Sequence, residues 1–135
     1  MARIIDIEGI GPQYRQVLKE KAGLTSTEAL LESCATPKQR EELAAKTGIS
    51  PKLILEWANL ADLFRIKGIG SEYSDLLEEA GVDTVAELAQ RNAENLFTAL
   101  KEVNDKKALV RRLPTGDQVK DWVAQAKKLP RKLTY

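Results

Sequence analysis

An internal repeat constrains the fold of this chain more than any other feature of its sequence. Residues 7–14 align with residues 66–73, and both copies contain a Gly-Ile-Gly triplet followed three residues later by tyrosine. The match continues through an apolar pair in each copy and reaches an Ala-Gly pair at Gly23 and Gly81. A repeat of this kind predicts that each copy forms the same supersecondary unit.

The residues after each triplet predict helices. Pro12 stands just inside the first helix, where its missing N–H costs nothing. Gly23 and Gly81 are typical C-terminal stops. Between these points the apolar residues recur at helical spacing and give each helix one apolar face. These residues are Tyr14, Val17 and Leu18 in one copy, and Tyr73, Leu76, Leu77 and Ala80 in the other.

Capping patterns predict where further helices begin. Thr25, Thr36 and Thr115 each start a Thr-x-x-Glu/Gln capping box. Ser50 followed by Pro51 predicts the start of a longer central helix. The segment 47–50 therefore reads as the end of one helix and the cap of the next, although it could be a third, degenerate hairpin that lacks its second glycine.

Apolar stripes complete the prediction of fold class. They run along residues 53–64, 96–103 and 119–126, and Pro114 and Pro130 bracket the last of them. The only candidate strand, Ile4-Ile5, is too short to matter alone. We predict an all-α protein, a compact helical domain with two repeats plus C-terminal helices.

The predicted organisation has two parts. Residues 1–91 form the tandem region, with repeats at about 4–33 and 51–90, and residues 92–135 form a basic helical extension. We expect the extension to pack on the tandem region. A separate lobe is the alternative.

Missing residue types exclude several kinds of chemistry. The 135 residues include no histidine and one cysteine, Cys34. The commonest general base is therefore absent, as are Ser-His and Cys-His nucleophile pairs. An intramolecular disulfide is impossible, and a zinc site would have to use carboxylates with a single thiolate, which is not a usual ligand set. We predict that the protein is not an enzyme and has no cofactor, no metal site and no small-molecule substrate.

The apolar runs also argue against membrane insertion. None approaches the roughly 18 residues that a bilayer span requires, and the N-terminus does not resemble a signal peptide. We expect a cytoplasmic protein with no membrane partner.

Charge is distributed unevenly along the chain. The formal net charge is +1, yet residues 1–100 hold 11 basic and 16 acidic residues, and residues 101–135 hold 10 basic and 4 acidic residues. Such asymmetry often marks a surface for an anionic partner, although most charge runs are only solvated. The candidate contacts in this basic end are Arg111, Arg112, Lys127, Lys128, Arg131 and Lys132.

The Gly-Ile-Gly triplets suit contact with an anion. Glycine lets the chain adopt positive φ or approach another surface closely, while Ile10 and Ile69 can turn inward and anchor the turn. Each triplet leads into a helix N-terminus, where outward N–H groups and the helix dipole favour a phosphate oxygen.

Residues 7–31 and 64–89 resemble helix-hairpin-helix motifs, in which a Gly-x-Gly hairpin joins two helices. Repair and recombination proteins use these hairpins to grip DNA backbones, and tandem copies pack into a compact pseudo-symmetric unit. The whole chain is also similar to an uncharacterised bacterial domain-of-unknown-function family with this repeat.

The resemblance implies sequence-independent DNA binding through backbone phosphates. The candidate residues around the two triplets are Gly9, Ile10, Gly11, Arg15, Lys19, Lys67, Gly68, Ile69, Gly70 and Ser71. The chain departs from the DNA-binding pattern at Gln13 and Glu72, where a basic residue is common, and it adds Glu8 and Asp75 nearby. Two alternatives remain open: the triplets are only structural turns, or the protein is a scaffold that binds another protein without nucleic acid.

Other conspicuous side chains have simpler interpretations. Tyr14 and Tyr73 could stack on bases, but their apolar helix faces favour core packing. Trp57 and Trp122 lie on apolar stripes and are expected in the core. Cys34 is expected to be an inert, partly buried thiol.

Overall fold

The predicted all-α class is confirmed. The computed structural model describes residues 2–7 and 9–135, so Met1 and Glu8 lie outside the described residues. Within them the chain forms eight α-helices: α1 Pro12–Ala22, α2 Thr27–Ser33, α3 Pro37–Thr47, α4 Pro51–Leu63, α5 Ser71–Glu79, α6 Val85–Ala89, α7 Ala93–Lys107 and α8 Gly116–Lys128. The candidate strand Ile4-Ile5 belongs instead to a short 3-10 helix, Ile4–Asp6.

None of these helices combines the length and the apolar character that crossing a bilayer would demand, as far as the described residues extend.

The chain divides into two compact units. The first contains the chain up to Asp62 together with Lys132–Tyr135, and the second contains Leu63–Arg131. Residues 92–131 therefore pack with residues 63–91 in the second unit. The division into 1–91 and 92–135 stays a prediction, because grouping by packing does not measure which parts fold independently.

The first unit is built around α1 to α4. Helix α3 packs against both α1 and α2. Apolar side chains from the N-terminal turn, the helices and their connections are withdrawn from solvent, and the largest of them is Trp57 at 1% exposure. The other large, fully buried side chains of this unit are Ile4, Ile7, Leu18, Leu30 and Ile54.

The last residues of the chain belong to the first unit. The Thr134 N–H donates to the Ala35 carbonyl oxygen at 2.8 Å. The buried Arg40 donates from Nη1 to the Cys34 carbonyl oxygen at 3.0 Å and from Nη2 to the Thr134 carbonyl oxygen at 2.7 Å. The Arg40 guanidinium also lies 5.7 Å from the ring centroid of Tyr135. The chain end is thus fixed by backbone and side-chain bonds.

The second unit is built around α5 to α8. Helix α8 packs against α6 and α7, and α5 packs against α7. The predicted apolar stripe of α8 is confirmed, since all four of its residues are buried: Val119, Trp122, Val123 and Ala126. They pack with leucines of the other three helices, including Leu76, Leu77, Leu88 and Leu100.

Several helices begin or end at the predicted capping residues. Thr36 and Thr115 form the predicted capping boxes, each with a glutamine three residues later. Gly23 and Gly48 end their helices in the left-handed conformation, with φ of 69° and 76°. The Ser50 hydroxyl accepts from the Leu53 N–H at 3.3 Å, as expected for a cap.

The prediction that Thr25 caps α2 is wrong. The cap is Ser26, whose hydroxyl accepts from the Ala29 N–H at 3.1 Å. The Thr25 carbonyl oxygen accepts from the Ile4 N–H, and the Thr27 N–H donates to the Ala2 carbonyl oxygen. This pairing with the N-terminal segment keeps the backbone extended through Ser26, so the helix starts one residue later.

Candidate functional site

The two Gly-Ile-Gly triplets form turns with the same backbone hydrogen bonds. In the first turn, the Ile7 N–H donates to the Ile4 carbonyl oxygen at 3.2 Å, and the Ile10 N–H donates to the Ile7 carbonyl oxygen at 3.1 Å. In the second turn, the Ile66 N–H donates to the Leu63 carbonyl oxygen at 3.1 Å, and the Ile69 N–H donates to the Ile66 carbonyl oxygen at 3.2 Å. All of these apolar side chains are buried, including Ile10 and Ile69. The buried side chains at every third position therefore anchor each turn in its own unit. These positions are 4, 7 and 10 in the first turn and 63, 66 and 69 in the second.

The first glycine of each turn needs the absence of a side chain. Gly9 and Gly68 have φ of 93° and 100°, which side-chain-bearing residues rarely adopt. A β-carbon on Gly9 would lie 3.5 Å from the indole nitrogen of Trp57, and one on Gly68 would lie 3.1 Å from that of Trp122. Each turn thus sits against a buried tryptophan of its own unit.

A tyrosine completes this arrangement in each unit. The ring centroids of Tyr14 and Trp57 are 5.0 Å apart, and those of Tyr73 and Trp122 are 5.3 Å apart. The expected core position of both tryptophans is confirmed by their 1% exposure. Tyr14 lies less deep than expected, with 39% of its surface exposed, whereas Leu18, one turn further along the same face, is fully buried.

The second glycine of each turn has no such requirement. Gly11 and Gly70 are the N-caps of α1 and α5, and neither helix has a side-chain cap bond. Their φ angles of −88° and −113° suit any residue. A β-carbon on either one would have no atom within 4 Å. Glycine here leaves the N–H groups of the first helical turn open to an external acceptor.

The basic side chains beside the first turn lie on α1. Arg15 donates its backbone N–H to the Gly11 carbonyl oxygen at 3.0 Å, which places it one turn into the helix. Lys19 follows four residues later and shares its face. Both are exposed. The acidic Glu8 predicted to oppose them lies outside the described residues.

The second turn is bonded to α8 through Lys67 and Gln125. The Lys67 N–H donates to Gln125 Oε1 at 2.9 Å, and Gln125 Nε2 donates to the Lys67 carbonyl oxygen at 3.0 Å. Lys127 and Lys128 form the end of the same helix within three residues of Gln125. The structure therefore brings these two predicted residues to the neighbourhood of the second turn.

The backbone of Arg112 is bonded to the helix that follows the second turn. The Tyr73 hydroxyl donates to the Arg112 carbonyl oxygen at 3.0 Å. Because Tyr73 is the third residue of α5, this bond holds the connection between α7 and α8 beside the N-terminus that Gly70 begins. Arg111 and Arg112 are both exposed.

Carboxylates also surround the second turn. Glu72 lies in the first turn of α5 and is exposed, and Asp75 follows it. Asp121 accepts a hydrogen bond from Gln125 Nε2 at 2.8 Å. An anion at the second turn would meet both signs of charge, whereas the first two charged residues of α1 after the first turn, Arg15 and Lys19, are both basic.

The last two basic residues predicted to contact a partner, Arg131 and Lys132, belong to different units. Arg131 closes the second unit, and Lys132 begins the terminal segment of the first. Both are exposed. The bonds of Thr134 and Arg40 fix the segment in which Lys132 lies, so this lysine is not carried on a free tail.

Cys34 is buried more completely than expected, with no exposed surface. Its thiol donates to the Leu30 carbonyl oxygen at 2.8 Å. Burial raises the pKa of Cys34 to about 12, and the nearby Arg40 charge lowers it only in part. A protonated, buried thiol is a poor nucleophile and metal ligand. No cluster of three or more potential metal ligands occurs in the described part of the chain.

Three contributors were missed by the sequence interpretation. Gln125 joins α8 to the second turn, Arg3 lines a groove on the first unit, and Arg40 holds the chain end. None of them has a local sequence signal. The two tryptophans did offer a sequence signal, because the chain contains only two and each follows one of the Gly-Ile-Gly triplets.

The family model described as "Domain of unknown function (DUF4332)" matches residues 8–129. Comparison with the curated proteins gave no match, and neither did comparison with the solved structures.

Proposed function

The chain belongs to this domain-of-unknown-function family, and we propose that it is a non-catalytic protein that binds DNA through backbone phosphates without reading base sequence. Each Gly-Ile-Gly turn would be the hairpin of a helix-hairpin-helix motif. The basic residues of the C-terminal third would add electrostatic attraction.

The observation that carries the proposal is the open N-terminus behind each second glycine. Gly11 and Gly70 have ordinary φ angles and empty space where a β-carbon would be. The fold itself therefore does not demand glycine at either position. A glycine that the fold does not need makes sense if another molecule must come close to the backbone. A phosphate oxygen is the group that an uncapped helix N-terminus attracts best.

The charges near the turns support the same proposal. Arg15 and Lys19 are exposed on the helix that Gly11 begins, and Lys67 is exposed immediately before Gly68. Positive side chains around a backbone-phosphate contact position the duplex and supply affinity without sequence information. We expect the first turn to contribute more than the second, because Glu72 would oppose a phosphate at α5.

An aspartate at Gly11 tests the proposal without weakening the helix. A carboxylate at the N-cap satisfies the open N–H groups and stabilises a helix, but it occupies the position assigned to phosphate and repels it. Fluorescence anisotropy with a short labelled duplex should show at least about a tenfold loss of affinity for Gly11→Asp, equivalent to about 1.4 kcal/mol. The melting temperature should stay the same or rise.

Gly116→Asp is the matched control. Gly116 also lies at a helix N-terminus with no atom near its absent β-carbon, so the substitution adds the same charge to a helix that no Gly-Ile-Gly turn precedes. Its effect on affinity should be about twofold or less. Equal losses for the two variants would show that net charge alone governs binding and would contradict a role for the turn.

A protein-interaction module is the second candidate, and Glu72 favours it. An exposed carboxylate in the first turn of α5 already interacts with the helix dipole, which suits a turn that meets a protein surface. Co-purification from cell extract with and without nuclease separates the candidates. A partner retained after nuclease treatment favours the module, and a partner lost with the nucleic acid favours DNA binding.

A further inference from the structure

A cationic groove lies on the first unit beside the N-terminal segment. Its volume is about 330 Å³. Arg3, Arg15 and Lys19 line it, together with the hydroxyl-bearing Thr25 and Ser26. No carboxylate is among the described residues that line it.

Backbone bonds fix the wall that carries Arg3. The Ile4 N–H donates to the Thr25 carbonyl oxygen at 3.1 Å, and the Thr27 N–H donates to the Ala2 carbonyl oxygen at 3.1 Å. Arg3 thus sits between two long-range bonds and opposite Ser26, with which it forms an isolated bridge. The position of its backbone is set by the fold.

The opposite wall is α1. Arg15 and Lys19 are four residues apart on this helix, so their side chains extend from the same face. In the described part of the chain neither of them forms an ion pair. Arg3 has only Asp6, at 3.6 Å, and because the Arg3 side chain is 77% exposed, water screens this pair.

Three positive charges line this groove and, among the described residues, only Arg3 has a carboxylate beside it, so an anion that enters the groove would reduce their mutual repulsion. We propose that this groove binds a phosphomonoester, a terminal phosphate that carries close to two negative charges at neutral pH. A phosphodiester in a strand carries one charge, which leaves more of the three cations unbalanced. The hydroxyl groups of Thr25 and Ser26 supply neutral partners for a phosphate oxygen.

The volume fits more than an isolated phosphate. Each water in the liquid occupies about 30 Å³, so the groove has the space of about ten waters. This accommodates a phosphate together with the attached sugar. Two sources share this chemistry: a free nucleoside monophosphate and the phosphorylated end of a nucleic-acid strand.

Adenosine 5′-monophosphate is the first probe, with adenosine as its matched control. In a titration followed by amide ¹H–¹⁵N NMR, the monophosphate should shift the signals of Thr25, Ser26 and Lys19, and adenosine should not. Equal shifts with both compounds, or no shift with the monophosphate, would overturn the proposal.

Two lysines of α1 provide the matched variants. Lys19 lines the groove, whereas Lys21 is exposed on the same helix and does not line it. Lys19→Gln should weaken binding of the monophosphate by at least about fivefold, and Lys21→Gln should change it by less than about twofold. Losses of equal size would show general electrostatic attraction and would contradict a built site.

Oligonucleotides separate the two sources. A short strand with a 5′-phosphate that binds at least about tenfold more tightly than both adenosine monophosphate and the same strand with a 5′-hydroxyl identifies a strand end as the ligand. Equal affinity for the phosphorylated strand and the monophosphate identifies a small phosphorylated compound.

The proposal for the groove and the proposal for the turns can be contradicted independently. The proposal for the groove shares Arg15 and Lys19 with the proposed DNA-binding function but does not depend on duplex contact at Gly11. A closed dumbbell duplex has no strand ends, so its binding reports on the turns alone. Adenosine monophosphate is not a duplex, and its binding is assigned to the groove when Lys19→Gln weakens it and Gly11→Asp does not.

Discussion

The indole nitrogen of Trp122 lies 3.1 Å from the point where a β-carbon on Gly68 would stand. The backbone of Gly68 has a φ of 100°, so both its conformation and its neighbour require glycine. Two residues later, Gly70 has a φ of −113° and open space. One triplet therefore contains a glycine that the fold needs and a glycine that the fold leaves free.

This difference predicts opposite effects of serine at the two positions. Gly68→Ser should lower the free energy of unfolding by about 1–3 kcal/mol, because the side chain forces a strained φ and must displace Trp122. Gly70→Ser should leave stability unchanged or raise it, since serine is a good N-cap. Urea denaturation followed by tryptophan fluorescence measures both. A cost at Gly70 as large as that at Gly68 would refute the assignment.

The hydroxyl of Tyr73 holds the segment that carries Arg112. Tyr73→Phe removes its 3.0 Å bond to the Arg112 carbonyl oxygen and should cost about 0.5–1.5 kcal/mol of stability. Tyr14→Phe is the control, because within the described residues the Tyr14 hydroxyl forms no hydrogen bond. Thermal unfolding of the two variants should separate them, and a cost no larger for Tyr73→Phe would contradict the contact.

The chain end should stabilise the first unit. Removing Thr134 and Tyr135 deprives the buried Arg40 of its 2.7 Å acceptor and of the facing ring. A buried charged donor that loses an acceptor costs about 1–3 kcal/mol or more. Chemical denaturation should show that loss, and the exposed Lys132→Ala should not. Unchanged stability after truncation would mean that the terminal bonds do not form in solution.

Cys34 should be silent toward thiol reagents in the folded protein. Burial raises the pKa of Cys34 to about 12, so the reactive thiolate is scarce at pH 8. Labelling with a chromogenic disulfide should be slow until denaturant is added. Rapid labelling of the native protein would contradict the buried position.

The raised pKa of Cys34 also makes the free energy of unfolding depend on pH. The folded state keeps the Cys34 thiol protonated above the pH at which the unfolded chain ionises it. The stabilisation is therefore complete below about pH 9 and is lost as the pH rises toward about 12. Cys34→Ala should lack this part of the alkaline decline when unfolding curves are compared across that range.

Local patterns predicted local structure well. The capping boxes at Thr36 and Thr115 form as expected because each involves residues only three apart. Thr25 fails because its carbonyl oxygen bonds to the N-terminal segment, which the local pattern does not include. The apolar residues of α8 followed from their helical spacing, since burial of one face needs no knowledge of its partner.

Contacts between distant segments could not be predicted in this way. Arg40 and Thr134 are 94 residues apart, and Gln125 bonds to Lys67 across 58 residues. Neither pair has a spacing or a motif that marks it. The Gly-Ile-Gly triplets did reveal the turns, but the different roles of Gly9 and Gly11 depend on their φ angles of 93° and −88°, which only the folded chain shows.

We propose that this protein binds DNA backbones, and a salt-dependent duplex titration tests this proposal most directly. Fluorescence anisotropy should give a dissociation constant of about 10⁻⁶ to 10⁻⁴ M at physiological salt, independent of base sequence. The constant should rise between about 50 mM and 200 mM salt, with a logarithmic slope of about 0.9 for each phosphate contacted. Absence of binding at the upper end of that range, or affinity that does not change with salt, would contradict the account.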